Sequence, residues 1–210
     1  MVFCGGANIA FRRPLMDAME WLLIATGFSG ALTLLYLLRT AYHAWFPPPS
    51  LEAYFSPKGG CTDAIVRELQ HARHEILVLA YSFTSKPIAQ ALVDAKLRGV
   101  HVDIVLDHSN EHELYTDMHF FLEQGLTPLI DPHHAIAHNK VMVIDNRTLL
   151  TGSFNFTHHA ENDNAENLLV IKGHPELVRA YKENFHTHRA HARAPEIKAA
   201  QNKATTRQAA

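Results

Sequence analysis

The sequence predicts an α/β fold, a mixed β-sheet flanked by helices, preceded by one N-terminal transmembrane helix. Three observations carry that expectation. Short β-branched and apolar runs alternate with segments of helical character from residue 51 to residue 188. Two later runs, "KVMVI" and "TLLTG", are separated by the turn-like "DNR", which reads as an antiparallel hairpin within the alternation. Finally, residues 21–38, "WLLIATGFSGALTLLYLL", carry no charged side chain.

That uncharged run just reaches the length of a membrane-spanning helix, about 20 residues. Trp21 at one end and Tyr36, Tyr42 and Trp45 near the other suit the two interfacial belts. A cleaved secretory signal is the rival reading. The run exceeds the usual apolar core of such a signal, and "RTAYHAWF" offers no clean small-x-small cleavage site. No face of the segment is polar, which suits a buried soluble helix less well. The expected order is therefore a tail over 1–20, an uncleaved single-pass anchor over 21–40, and a linker over 41–50 in which "FPPPS" is a stiff spacer. Arg12 and Arg13 before the span, against Arg39 after it, favour an outside (periplasmic) catalytic domain; translation from Met16 or Met19 would reverse that bias.

The domain is expected over 51–190, with a basic flexible tail over 191–210. Strands are expected at 51–55, 76–82, 101–106, 127–130, 140–145, 148–152 and 167–172, and helices at 61–73, 87–98, 112–124 and 175–188. Lys86-Pro87 marks the second of these helices' start and "RG" its end before "VHVDIVLD". With 47% hydrophobic and 19% charged residues the 210-residue chain has ordinary globular composition for one domain plus an appendage. Its two cysteines, Cys4 and Cys61, form neither a disulfide pattern nor a metal-site spacing.

The chemistry lies in "AHNKVMVIDNRTLLTGSFNFT", residues 137–157. In a strand, His138 and Lys140 share one face, as do Ser153 and Asn155 after the turn, while Phe154 and Phe156 alternate toward the core. Gly152 lets backbone or ligand approach closely. Phosphodiester cleavage needs a nucleophile, donors for the charged oxygens and an acid for the leaving oxygen. Histidine, with an unperturbed pKa of about 6.5, can serve as nucleophile or acid. Lys140 offers a compact cation for a phosphoryl oxygen, and Asn155 two further donors.

The pattern H-x-K-x4-D-x6-G-S-x-N, filled by His138, Lys140, Asp145, Gly152, Ser153 and Asn155, resembles the HKD motif of the phospholipase D superfamily. "FTHHAENDNAEN" is similar to its single-motif branch, the Nuc-type endonucleases and the mitochondrial phospholipase D (Zucchini-like) group. There the glutamate of "AEN" supports the active-site histidine, which implies that role for Glu166. "YFSPKGG" at 54–60, "ILVLAYSFTSKPIAQALVDAKLRGVHVDIVLD" at 76–107 and "LEQGLTPLI" at 122–130 extend the resemblance over about residues 51–190.

The resemblance implies catalytic roles for His138, Lys140, Asn155 and Glu166, phosphate binding by Lys140, Ser153 and Asn155, and support from Asp145 and Gly152. Asp145, five residues past Lys140 on the turn, is expected to hold that turn. No metal or other cofactor is expected, since lysines replace a metal's charge. The chain has one such motif. An attacking histidine cannot also protonate the leaving oxygen on the opposite side of an in-line displacement. A homodimer with one composite site follows, as the single-motif branch implies.

Other histidines have plainer expected places. His71 and His74 fall on a helix surface, and His133 and His134 in a loop leading to the site. "HTHRAH" at 186–191 offers metal-ligating residues but is read as a solvated helix end. His158 and His159 are candidate lining for a substrate groove.

Substrate is expected to be nucleic acid or phospholipid. Residues 51–170 hold eight Lys/Arg against sixteen Asp/Glu, and residues 171–210 eight against three. An acidic body grips a polyanion poorly. The basic end can compensate for nucleic acid or anionic membrane alike, or serve only as a solubilising disordered tail. An endonuclease is the first expectation, a phospholipase D the second. A silent membrane-anchored binding module is a third, against which the intact motif argues.

Overall fold

The computed structural model describes residues 17–45, 48–111 and 118–196. Expectations about the N-terminal tail before residue 17, including Cys4, Arg12 and Arg13, lie outside the described residues. So do those about residues 46–47, the first half of the helix expected at 112–124, and most of the basic tail. Helix α1 (Ala18–Trp45) forms one unit and residues from Pro48 onward another. Within α1, Ala18–Tyr42 is long and apolar enough to cross a membrane. Asp17 caps it, accepting a hydrogen bond from the Glu20 N–H at 2.7 Å while the Glu20 carboxylate accepts from the Asp17 N–H at 3.1 Å.

The second unit is a mixed sheet with helices on both faces. Its elements are β1 (Ser50–Phe55), α2 (Cys61–His71), β2 (Glu75–Ala80), α3 (Lys86–Leu97), β3 (His101–Asp107), a 3-10 turn (His108–Glu111), α4 (Met118–Glu123) and β4 (Leu129–Asp131), then β5 (Lys140–Ile144), β6 (Thr148–Gly152), α5 (His158–Asn162), β7 (Asn167–Lys172) and α6 (Pro175–His191). The described residues form a seven-stranded sheet in the order β1-β7-β6-β5-β2-β3-β4. β2, β3 and β4 run parallel, with α3 crossing between β2 and β3, while β1, β7, β6, β5 and β2 alternate antiparallel.

The two-residue period of the strands builds two cores. Ile76, Val78, Met142, Ile144, Leu150 and Val170 pack under α2 and α3. Leu77, Leu79, Val141, Val143, Leu149 and Ile171 pack under α6, which contributes Val178 and Phe185. Expected and observed elements agree except in detail. Residues 81–82 lie beyond β2, β4 is shorter than 127–130 and shifted onward, and α5 was not anticipated. Thr157 creates α5 by capping it, accepting from the Ala160 N–H at 3.1 Å. Ordered pairing also continues past residue 190: Arg193 exchanges backbone hydrogen bonds with Ile130 at 2.7 and 2.9 Å.

The hairpin between β5 and β6 closes through Asp145 and Asn146, at φ 52° and 54°. Both central residues in the left-handed region define a type I′ turn, whose twist suits an antiparallel pair. The Asp145 carboxylate reaches out of this turn to accept the backbone N–H groups of Arg73, His74 and Glu75 at 2.8, 2.7 and 2.9 Å. It thereby fixes the connection from α2 to β2 against the hairpin. Asp145→Ala is expected to cost about 1–3 kcal/mol, measured by chemical denaturation, since it removes an ionised acceptor from three donors at once.

Candidate active site

His138, Lys140, Gly152, Ser153, Asn155 and Glu166 gather at one end of the sheet, where β2 and β6 end and β5 and β7 begin, whereas Asp145 stands at the other end, on the β5–β6 turn. Lys140 opens β5 opposite Ala80. It is 6% exposed, its ammonium donating to the His138 carbonyl at 3.2 Å and lying 5.0 Å from the Tyr81 ring centroid. His138 lies just before β5, which begins at Lys140 as the expected bounds have it, so the two residues do not sit within one strand. The reason is local: the Asn139 N–H bonds the Ala137 carbonyl, and the Asn139 carbonyl accepts from the Tyr81 N–H at 2.8 Å. His138 is exposed, with its ring edge-on to Tyr81 at 4.5 Å between centroids.

Two groups hold this segment that the sequence reading did not single out. Asp107, buried at the end of β3, accepts the Ala137 N–H at 2.6 Å and the Ser109 N–H at 2.9 Å. Burial pushes its pKa up, but those bonds and the nearby His108 outweigh it, so the carboxyl sits below its usual value and stays ionised. Tyr81 packs on both His138 and Lys140. "VLD" and "AYS" looked like ordinary strand ends, and nothing local linked them to a motif more than thirty residues away.

Beyond β6, Phe154 and Phe156 are 0% and 1% exposed, as the alternation implies, each contributing about 1.5–3 kcal/mol by burial. They turn Ser153 and Asn155 the other way. Ser153 Oγ accepts the Asn167 N–H at 3.1 Å and its side-chain amide at 3.2 Å. Asn155 Oδ1 is buried and has no hydrogen-bond partner among the described residues, which marks a polar position at this end of the sheet. Gly152 is required by packing: a Cβ there would collide with the Asn167 carbonyl oxygen and stand 2.9 Å from Asn167 Oδ1. Gly152→Ala is expected to cost about 1–3 kcal/mol by forcing β6 and β7 apart, and to lower activity with stability; a thermal melt checks it.

Glu166 immediately precedes β7, its N–H on Ser56 Oγ at 3.1 Å and its carboxylate accepting from Asn164 Nδ2 at 3.2 Å. Its charge reaches Lys140. Burial pushes the Lys140 pKa below 10.5, and Glu166 opposes that fall without cancelling it. Cys61, buried as the first residue of α2, has its thiol pushed up to about 11 by burial and then by Glu161, so it stays an inert thiol.

His158 and His159 separate. His158 lines a 590 Å³ cavity with Thr62, Thr84, Lys86, Glu161 and Asn162, a lining that excludes His138 and Lys140. His159 is exposed and pairs with Asp163 at 2.7 Å. The larger correction concerns "HTHRAH": His188 is buried, 9% exposed, and bonds Asp131 Oδ2 at 2.7 Å. The signal was present, because His188 continues the α6 stripe of Val178, Tyr181 and Phe185 that faces the sheet.

This fold and motif have known counterparts. The family described as "Cardiolipin synthase, PLD-like domain" matches residues 65–189. A "Phospholipase D" of Rickettsia bellii is 38% identical over 157 residues, covering 69% of this chain and 78% of that protein. The chain spans 63–66% of the corresponding proteins from four further Rickettsia species. The mouse "Mitochondrial cardiolipin hydrolase" is 25% identical over 201 residues, covering 88% and 87% of the two chains. Among solved structures, the phospholipase D family member Nuc from Salmonella typhimurium superposes with a TM-score of 0.68 at 36% identity, covering 70% of this chain and 98% of that one. The chain belongs to the phospholipase D superfamily, in its single-motif branch, and its enzyme class is phosphodiesterase.

Proposed function

We propose that the protein is a membrane-anchored endonuclease that hydrolyses phosphodiester bonds through a phosphohistidine in a homodimeric site, with no metal in the chemistry. The observation that supports this most is the sheet end itself, where an exposed imidazole stands beside a buried ammonium, a hydroxyl and an amide whose oxygen is buried. His138 of one protomer attacks phosphorus while the imidazolium of its partner's copy gives its proton to the leaving oxygen. The partner ring, now neutral, takes a proton from water. The hydroxide so formed displaces the first imidazole, releasing a phosphomonoester and restoring both rings. Lys140 and Asn155 from both protomers hold the phosphoryl oxygens, with Ser153 assisting, and Glu166 orients an imidazole and stabilises its charged form. Exposed apolar side chains near these residues, Phe55 opposite Asn167 and Ile136 two residues before His138, give a second copy surface to cover.

The endonuclease assignment rests on the resemblance to the Nuc-type branch and the near-complete coverage of Salmonella Nuc. A second reading, phospholipase D acting on membrane lipids, is favoured by specific observations. The N-terminal helix is a candidate span, the Rickettsia relatives are named phospholipase D, and three basic residues of α6 (Arg179, Lys182 and Arg189) are engaged by Glu176, Glu75 and Asp103. A paired assay separates the two. The detergent-solubilised chain is given single-stranded DNA, RNA and duplex DNA in one set, and phosphatidylcholine and cardiolipin vesicles in the other, with His138→Ala as control. Cleavage of nucleic acid without head-group release supports the first reading; the reverse result establishes the second. The periplasmic placement of the domain is tested by protease accessibility in intact cells.

A further inference from the structure

Four side chains outside the phosphodiesterase site converge where β4 meets α6. Asp131, the last residue of β4, is 0% exposed. His188 Nδ1 lies 2.7 Å and His134 Nδ1 3.0 Å from its Oδ2, and His191 Nε2 lies 3.1 Å from its Oδ1. The His133 N–H also donates to Oδ1 at 2.9 Å. One donor atom from each of Asp131, His134, His188 and His191 lies within 4.8 Å of the other three. His191 Nε2 is buried without a well-formed hydrogen bond, although it stands so near the carboxylate.

A fully buried carboxylate needs its charge compensated. Burial pushes the Asp131 pKa up, but hydrogen bonds from His188, the His133 N–H and His134, with the close approach of His191, outweigh it and hold the carboxyl well below the usual carboxylate range. An anion ringed by three imidazoles is a donor set that a divalent cation of intermediate softness completes. Three imidazole nitrogens and one carboxylate oxygen suit Zn²⁺ at about 2.0–2.2 Å, which sets donors roughly 3.3 Å apart on a tetrahedron. The separations from Asp131 fall under that value while the four donor atoms lie within 4.8 Å of one another, so closing on an ion asks for side-chain adjustments of about 0.5–1.5 Å. The ligands come as two short chelating pairs, Asp131-x2-His134 and His188-x2-His191.

We infer that Asp131, His134, His188 and His191 form a structural zinc site. Four protein ligands leave no open position for a substrate, so the ion braces rather than reacts. It joins the short edge strand β4 to α6 and pins the start of the loop 132–139, whose other end, at Ala137, is held by Asp107. That loop delivers His138. Binding displaces any protons on the three ligating nitrogens, and the ion replaces them as the partner of Asp131.

The test uses the full chain in detergent, purified without a polyhistidine tag. About one zinc per chain should survive gel filtration, measured by plasma mass spectrometry, and His188→Gln and His191→Gln should each keep less than about a fifth of it. His138→Ala should keep it all, which separates this site from the phosphodiesterase centre. Chelator-stripped protein should melt earlier and recover its midpoint on adding zinc. Should the histidine variants fail to fold, cobalt-loaded native chain still reports the site through intense tetrahedral d–d bands without thiolate charge transfer. Wild-type protein holding less than about a tenth of an equivalent, with a midpoint indifferent to added zinc, overturns the site. So does zinc content unchanged in both histidine variants.

Discussion

His138→Ala will lower phosphodiester hydrolysis by about 10⁴-fold or more while leaving the fold intact. In a homodimer the substitution removes the attacking group and the leaving-group acid together, and each of these alone is worth several kcal/mol of barrier. The ring is exposed and meets Tyr81 edge-on, so the stability change should stay within about 0.5 kcal/mol. Rates on an activated phosphodiester and on the natural polymer or lipid should fall alike, and the acid-labile phosphoryl adduct should vanish. Residual turnover above about 1% of wild type, with normal folding, contradicts a histidine nucleophile.

Lys140→Met carries the second largest effect, and the signs of its two consequences differ. Lys140 is buried at the sheet end, and burial lowers its pKa from 10.5 despite Glu166. Folding therefore disfavours the charged form: the ammonium costs stability at neutral pH, and that cost is relieved as pH rises through the lowered pKa toward 10.5. Catalysis needs the charge, so activity falls over the same interval. Methionine has similar length and no charge. The variant should lose about 10²–10³-fold in rate, because a cation aimed at the phosphoryl oxygens is gone, yet melt no earlier than wild type. The wild-type rate should also show an alkaline limb below the ordinary lysine value. A variant that loses both activity and stability would mean that Lys140 serves the fold instead.

Much of this architecture is written locally. The Asp145-Asn146 turn, the alternation that buries Phe154 and Phe156, and the periodic stripes of α2, α3 and α6 all act over a few residues, so the sheet and its hairpin were legible. Ser153 and Asn155 were legible for the same reason, since burying their neighbours turns them outward. The contacts that aim the motif were not. Asp107 on the Ala137 N–H, Tyr81 on His138, and Asn167 on Ser153 and against Gly152 each join segments that are distant in the chain. The same holds for His188 on Asp131: helical spacing placed His188 on the apolar stripe, but a histidine at a helix end reads as solvated until the buried carboxylate opposite it is known. Residues 81–82 lie past the last ladder pair of β2, Ala80 with Lys140, although the Tyr81 N–H still reaches the Asn139 carbonyl in register.

One active centre shared by two chains is the claim on which the chemistry rests, and a mixed dimer tests it most directly. Wild-type and His138→Ala chains carrying different affinity tags are co-expressed, and the heterodimer is isolated through both tags in turn. Background activity is expected from that species, since its single composite centre lacks one imidazole. A heterodimer retaining about half the wild-type rate would contradict it, because each chain would then be catalysing alone.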